Sequence, residues 1–469
     1  MTTKTFLFYD IETSGLNKAF DQVLEFAAIR TDAALNPIET HECLVQVSRD
    51  TLPDPHAVLV HHLTPQACAN GQVESDAIRF IHRLMNQPGT ISLGYNTLGF
   101  DDEFLRFSFF RHLLTPYTHQ YAQGCGRADL YPMVLMYYLF RPNQLKWPRT
   151  EQGVSMKLEA LNSENQLASG RAHTALADVE ATLALAQKLY QDQAMWSYLL
   201  GYFDKQTALK RLSDLPQVEG FSKGQVGVCV EGALGALNQF HAPVLILGMH
   251  QVYRNQCVML RLDRKRLSTL DYTDLNEIQA CMLRKKISES IVAPLNRFES
   301  YWDDERRQLI QDNLKWCAQA IAPIQSIAEY CTGLTYPNVP DCDASAALYQ
   351  VDFPDQALIL QYHEFWKYSF SEASVLISGF PEHARQCAER LLWRRPEALE
   401  TGWSSPTLNQ YLAGLKGHAS NERVDYTGRI ARTAQMVRTQ IQTCYDQSSK
   451  EQQRLLDQLS DWLKVTWAV

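Results

Sequence analysis

The sequence predicts an α/β chain that opens on a sheet and closes in helices, and three observations carry that expectation. Thr5-Phe-Leu-Phe-Tyr-Asp10-Ile-Glu12 is an apolar strand pattern that ends in two carboxylates. Short apolar runs then alternate with helical periodicity as far as about residue 190. From about residue 351 onward almost every periodic segment is helical.

The elements follow in order. Leu24–Arg30 reads as a second strand, Asn36-Pro37 as a turn, and Cys43–Val47 as a third strand, together a meander. Thr64-Pro65 has the form of an N-cap followed by proline at the first helical position. Ser75–Met85 places Ile78, Ile81 and Leu84 on one helical face. Thr90–Gly94 reads as a buried strand that breaks at Tyr95-Asn96 and leads into a helix from Phe100-Asp101 through Phe110. Helices are expected over Asp129–Phe140 and Lys157–Glu164, and a last one runs to Tyr190 with Leu176, Val179, Leu183 and Ala186 facing the core. After a helical stretch at Ala194–Leu212 come three short, glycine-punctuated strand patterns, Gln225–Val230, Pro243–Leu247 and Gln256–Leu262, which suit a small barrel or sheet. Helices return at Leu275–Lys285 and Asp303–Ala318, then at Gln356–Tyr368, Ser371–Ser378, Pro381–Trp393, Ser405–Leu415, Arg429–Asp446 and Glu451–Lys464.

Composition narrows the function. A chain of 469 residues with 45% hydrophobic residues has enough material for two to four cores. No apolar run is long enough to span a bilayer, and Met1-Thr-Thr-Lys4 leads directly into a strand, so a soluble cytoplasmic protein is expected. Its 11 cysteines are dispersed without C-x-x-C spacing, as suits free thiols in a reducing compartment. The net charge of −8 would seem to exclude a nucleic-acid partner, but the first 192 residues hold 15 Lys+Arg against 21 Asp+Glu, and the remainder is nearly balanced. Phosphate affinity is set by local clusters, such as Arg264-Lys265-Arg266, Arg284-Lys285-Lys286 and Arg394-Arg395.

The acidic excess is organised. Side chains alternate faces along a strand, so Asp10 and Glu12 share one, and like charges that close need a cation or a shared proton. Alone, such a pair is a solvated strand end. Asp101 stands at a strand-to-helix junction, and Asp178 lies five residues after His173. On one helix that spacing separates two side chains by roughly 140°, which puts His173 in the loop before the helix and Asp178 inside it. Carboxylates without cysteine or a histidine set suit hard cations such as Mg²⁺ or Mn²⁺. Two such ions stabilise the attacking and leaving oxygens of phosphoryl hydrolysis, and a neutral histidine can take the proton of a water.

The ordered motifs Asp10-Ile-Glu12-Thr13, Asn96-Thr-Leu-Gly-Phe100-Asp101 and His173-x-x-x-x-Asp178 resemble the histidine branch of the DEDD 3′→5′ exonucleases. More particular stretches are similar to the bacterial exonuclease I family: Phe26–Asp32, Leu63–Gln66, Leu93–Asn96 with Phe100–Glu103, Arg141-Pro142 with Trp147-Pro148, and, more weakly, Ala347–Tyr349 and Glu389–Trp393. The resemblance implies a ribonuclease-H-like nuclease domain at 1–193, a small SH3-like β-barrel with helices at 194–350, and a helical C-terminal domain at 351–469. It further implies 3′→5′ hydrolysis of single-stranded DNA to 5′-mononucleotides in DNA repair and recombination.

By the same resemblance Asp10, Glu12, Asp101 (not Asp102) and Asp178 are the acids holding two Mg²⁺ ions, and His173 is the general base. Glu12 also faces the substrate, and Leu16 packs against the terminal base. Lys157 stands where the family carries an arginine, which implies phosphate contact without a bidentate fork. Arg106, Tyr117, Tyr121, Arg141 and Arg171 are the next implied DNA contacts, a mix of rings and guanidinium groups that suits a single strand. Glu25 replaces a glutamine, with no role attached. An implied partner is the acidic C-terminal tail of single-stranded-DNA-binding protein, docking on Arg264, Lys265, Arg284 or Arg394, and a monomer is expected. An exonuclease of the same branch trimming RNA 3′ ends, and a non-catalytic nucleic-acid-binding protein, remain open alternatives at this point.

Overall fold

The computed structural model describes residues 4–151, 153–168, 174–218, 224–271, 274–417 and 422–467. Its first sheet contains β1 (Thr5–Thr13), β2 (Val23–Thr31), β3 (Pro37–Leu44), β4 (Thr90–Gly94) and β5 (Gly126–Asp129), in the order β3-β2-β1-β4-β5. β1 runs antiparallel to β2 and parallel to β4, and β4 runs parallel to β5. The helices of this part are α1 (Pro55–His61), α2 (Glu74–Met85), α3 (Asp101–Arg111), α4 (Leu130–Phe140), α5 (Leu158–Asn165) and α6 (Ala175–Tyr190).

Alternation along β1 decides its two faces. Leu7, Tyr9 and Ile11 pack with Ile78, Ile81 and Leu84 of α2, while Phe6 and Phe8 pack on the other side with Val179, Leu183 and Ala186 of α6. Asp10 and Glu12 continue the Phe6-Phe8 row, so α6 covers the face that carries the acids.

Two short strands, β6 (Arg149–Thr150) and β7 (Gly153–Val154), and two helices, α7 (Gln193–Leu200) and α8 (Lys205–Ser213), lead to a second sheet. It contains β8 (Val226–Val230), β9 (His241–Met249), β10 (Gln256–Arg261), β11 (Met282–Lys286) and β12 (Ile291–Pro294), in the antiparallel order β11-β10-β9-β8-β12, with α9 (Leu275–Ala280) before β11. A single apolar cluster runs from Phe6 of the first sheet through α4, α6 and Trp196 to Val228, Leu245 and Cys331. The regular elements described after β12 are helical: α10 (Asp304–Gln319), α11 (Ile321–Gly333), α12 (Gln356–Phe365), α13 (Phe370–Leu376), α14 (Glu382–Arg394), α15 (Pro396–Thr401), α16 (Pro406–Lys416), α17 (Ala434–Tyr445) and α18 (Lys450–Trp467).

Three expectations are corrected. The helix that Thr64-Pro65 predicts is a single turn, closed by the Cys68 N–H on the Thr64 carbonyl at 3.0 Å. The capping signature is used earlier, where Asp54 accepts from His56 N and Pro55 occupies the first position of α1. The helix expected over Leu275–Lys285 stops at Ala280, because Met282–Lys286 pairs along β10, with Arg284 opposite Val258. Ladder pairing here overrides the helical preference of Leu-Arg-Lys-Lys. The third strand also runs earlier than Cys43–Val47, since its pairing with β2 starts at Pro37.

Arg394 is not a free basic patch. Its guanidinium donates to both carboxylate oxygens of Asp50, at 2.8 and 3.1 Å, and to Glu74 at 2.7 Å. Asp50 and Glu74 are 4% and 2% exposed, so this contact ties α14 to the loop before α1 and to the start of α2. Burial opposes ionisation of Glu74, yet Arg394, His112 and Arg111 hold its pKa down to about 2. Arg394→Ala is expected to destabilise the protein by about 3–5 kcal/mol, because it leaves buried charges without a partner. A chemical denaturation curve that does not shift would contradict this.

Candidate active site

Three carboxylates meet where α6 crosses the end of β1. Ligand oxygens of Asp10, Glu12 and Asp178 all lie within 4.8 Å of one another. The sequence sets this up locally. Thr174 caps α6 by accepting from Ala177 N at 3.4 Å, which puts Asp178 in the first turn, where the helix dipole favours a negative charge. Val179, Leu183 and Ala186 then seat the helix on the face bearing Phe6 and Phe8, over the acids.

Asp101, 8% exposed, is the first residue of α3 and lies past the carboxyl end of β4, the parallel neighbour of β1. Asp129, buried at the end of β5, accepts from Asn96 N at 2.8 Å, Leu98 N at 3.1 Å and Tyr131 N at 2.9 Å. Three backbone donors on one carboxylate fix the turn that delivers Asp101. Asn96 itself adopts φ 62°, a left-handed conformation that asparagine tolerates.

The electrostatics are those of a site built for cations. Burial pushes the Asp10 carboxyl well above its ordinary range, and Asp101, Asp178, Glu12 and Glu25 add to the shift. Burial, then Asp178 and Glu25, raise Glu12 to about 7. Burial raises Asp101 to about 8 against a favourable bond from its own backbone, with Asp129, Glu12 and Asp102 adding repulsion. Among the described residues Asp10, Glu12 and Asp101 form no ion pair with a side chain. All the donors are carboxylate oxygens, which fits a hard divalent cation.

The contrast between Asp101 and Asp102 separates the site from the scaffold. Asp102 is fully buried, hydrogen-bonded to Arg127 at 2.6 Å and His119 at 3.0 Å, with the Arg106 guanidinium 3.2 Å away. Against the penalty of burial, Arg127, His119 and Arg106 hold it far below the ordinary carboxylate range. Asp102 is thus neutralised by the fold, whereas Asp101 has no ion pair among the described residues and is not within the 4.8 Å group of Asp10, Glu12 and Asp178.

Other predicted positions divide. Leu16 is 80% exposed and Tyr121 70% exposed, and Lys157 is exposed just before α5. Arg141 is about half exposed and paired to Asp192 at 2.7 Å. Tyr117 is half-buried beneath the Arg106 guanidinium, 5.5 Å from its ring centre. The Arg106 side chain is 5% exposed and lies 3.2 Å from Asp102, four residues earlier on α3. His173 and Arg171 lie outside the described residues.

Two contributors were missed by sequence reasoning. Glu25 pairs in register with Glu12 and accepts from Ala175 N, the first residue of α6, at 3.2 Å. It therefore adds charge beside Glu12 and anchors the helix that carries Asp178. A single acid in the apolar run Val23–Ile29 was the available signal. Asp129 had the form of a helix cap before Leu130 and is one, but its further bonds to Asn96 and Leu98 depend on pairing of β4 with β5.

The chain's likeness to known proteins agrees with this geometry. The exonuclease family model matches residues 7–186. An exodeoxyribonuclease I from Escherichia coli (strain K12) is 37% identical over 279 residues, which are 58% of this chain and 57% of that relative. Five relatives with that name are matched over 52 to 62% of their own lengths, so the sequence match spans little more than half of each. Solved structures match more of the chain. E. coli exonuclease I in complex with a dA16 oligonucleotide superposes with a TM-score of 0.85 at 26% identity, covering 99% of this chain and 100% of the other. The zinc-bound form of the E. coli complex with single-stranded DNA gives 0.83 at 26% identity over 99% of both chains. Residues 7–186 therefore resemble the exonuclease family, within a chain whose fold superposes on E. coli exonuclease I over 99% of its length.

Proposed function

We propose that this chain is an exodeoxyribonuclease I, a metal-dependent 3′→5′ exonuclease that degrades single-stranded DNA to 5′-mononucleotides and serves DNA repair and recombination. The observation that carries the reading is the convergence of Asp10, Glu12 and Asp178 within 4.8 Å, with no cation from the protein on Asp10 or Glu12 among the described residues. Asp10, Glu12, Asp101 and Asp178 would hold two Mg²⁺ ions, or Mn²⁺. Such ions, when bound, polarise the scissile phosphate and lower the pKa of a water. His173 takes the proton of the attacking water, a role that rests on its place in the motif five residues before Asp178.

Leu16 packs against the 3′-terminal base, and its high exposure supports that role. Lys157, Arg141, Arg171 and Arg106 contact the DNA backbone, and Tyr121 and Tyr117 are the rings that meet its bases. We read residues 1–193 as a ribonuclease-H-like domain, 194–350 as an SH3-like barrel with helices, and 351–469 as a helical domain, in a monomer that works in the cytoplasm. The acidic tail of single-stranded-DNA-binding protein is the partner we assign, on the exposed Arg264 and Lys265 or on Arg284 of β11.

Product analysis on labelled single strands tests the function. With Mg²⁺, a 3′-labelled strand is expected to release labelled mononucleotide from the first turnover, and a 5′-labelled strand to shorten progressively. EDTA is expected to stop both, and RNA of the same sequence to stay intact. Release from the 5′ end, or faster cutting of RNA, would overturn the reading.

A further inference from the structure

The loop that leaves β1 is held from the far end of the chain. Thr13-Ser-Gly-Leu16-Asn17 follows Glu12 directly. Asp21, 3% exposed, lies behind it and accepts from Ser14 Oγ at 3.1 Å and from Asn17 N at 2.8 Å. The same carboxylate accepts from both terminal nitrogens of Arg432, at 3.0 and 3.3 Å. Arg432 also donates to Asp54 at 3.1 Å and to the Leu52 carbonyl, and the Asp54 N–H donates to the Ser14 carbonyl at 2.7 Å. Asn17 Nδ2 donates to Asp425 Oδ2 at 2.9 Å.

Gly15 gives an independent sign that this contact is built. A Cβ added there would stand 2.5 Å from Asp21 Oδ2 and 2.6 Å from Arg432 Nη2. The guanidinium lies against a bare α-carbon, so no other residue at position 15 admits it without a shift. A link serving only to join the two parts of the chain would not need to pass through this loop, since Arg394 already joins them at Asp50 and Glu74.

We infer that Arg432, assisted by Asp425, is a positioning residue: it fixes the Ser14–Asn17 loop through Asp21 and so sets where Leu16 stands relative to the acids of β1. The inference rests on the nuclease reading, in which Leu16 meets the terminal base. The C-terminal helical part then takes a share in aligning the scissile bond, beyond enclosing the strand.

Arg432→Ala is expected to lower kcat on single-stranded DNA about 100-fold, the cost of a small misplacement at the reacting bond. KM is expected to stay within about threefold, because phosphate contacts elsewhere are untouched. Arg432→Lys keeps the charge on Asp21 without the two-pronged grip and should recover part of the loss. Combined with Leu16→Ala, Arg432→Ala should add little, since both act on one contact. Hydrogen exchange gives a readout independent of activity: the amides of Ser14 and Asn17, bonded to the Gln22 carbonyl and to Asp21, should exchange faster in Arg432→Lys and in Asn17→Ala, while those of α2 should not. An unchanged kcat, full additivity with Leu16→Ala, or unchanged exchange in the loop would overturn the inference. Wild-type protein that releases no nucleotide would instead sink the nuclease reading, and the exchange comparison would still decide whether the loop is braced.

Discussion

Asp178→Asn is expected to reduce nucleotide release from single-stranded DNA roughly 1,000-fold, the scale of several kcal/mol of charge stabilisation. Asparagine keeps the size of the side chain and the helix that carries it, while removing one of the three carboxylates of the cluster with Asp10 and Glu12. The apolar seat of α6 is supplied by Val179, Leu183 and Ala186, so the fold should survive. Circular dichroism on the variant checks that point, and a single-turnover assay checks the rate. A variant that folds and cuts at the wild-type rate would remove Asp178 from the machinery.

The second large effect concerns the metal-free protein and pH. Glu12 is held up near 7 and Asp101 near 8, both above their values in an unfolded chain. Between about pH 4 and pH 8 the folded state therefore binds more protons than the unfolded one, and stability falls as pH rises through that window. Below it, both states are protonated and the difference vanishes. In EDTA the thermal midpoint is expected to drop by roughly 5 °C between those limits, given the size of the shifts. Added Mg²⁺ should restore it by binding only the folded state. Asp101→Asn in EDTA should flatten the profile and raise the midpoint at the alkaline end. A profile that rises with pH, or that ignores Mg²⁺, would contradict the assigned electrostatics.

Much of the site was legible because it follows local rules. Two acids on one face of β1 need only the alternation of a strand, and the place of Asp178 inside a helix needs only helical periodicity. The choice of Asp101 over Asp102 came from the motif; in the structure two arginines and His119 surround Asp102. What could not be read was long-range. Arg394 looks in sequence like a surface arginine, and only the packing of α14 shows that it is enclosed with Asp50 and Glu74. Glu25 acquires its position from the register of β2 on β1, which no single segment states. Likewise Met282–Lys286 is helical by local preference and a strand by pairing.

The apolar cluster that passes from Phe6 to Cys331 separates the unit of chemistry from the unit of folding. The acids all lie before residue 190, yet the interior supporting α4 and α6 is closed by Trp196 and by strands of the second sheet. A fragment cut at residue 193 would keep every assigned metal ligand and expose the apolar side of its own core to water. The clustered acids and the surface that keeps them soluble thus belong to different stretches of sequence, and a shortened form of this chain must carry the second sheet with it.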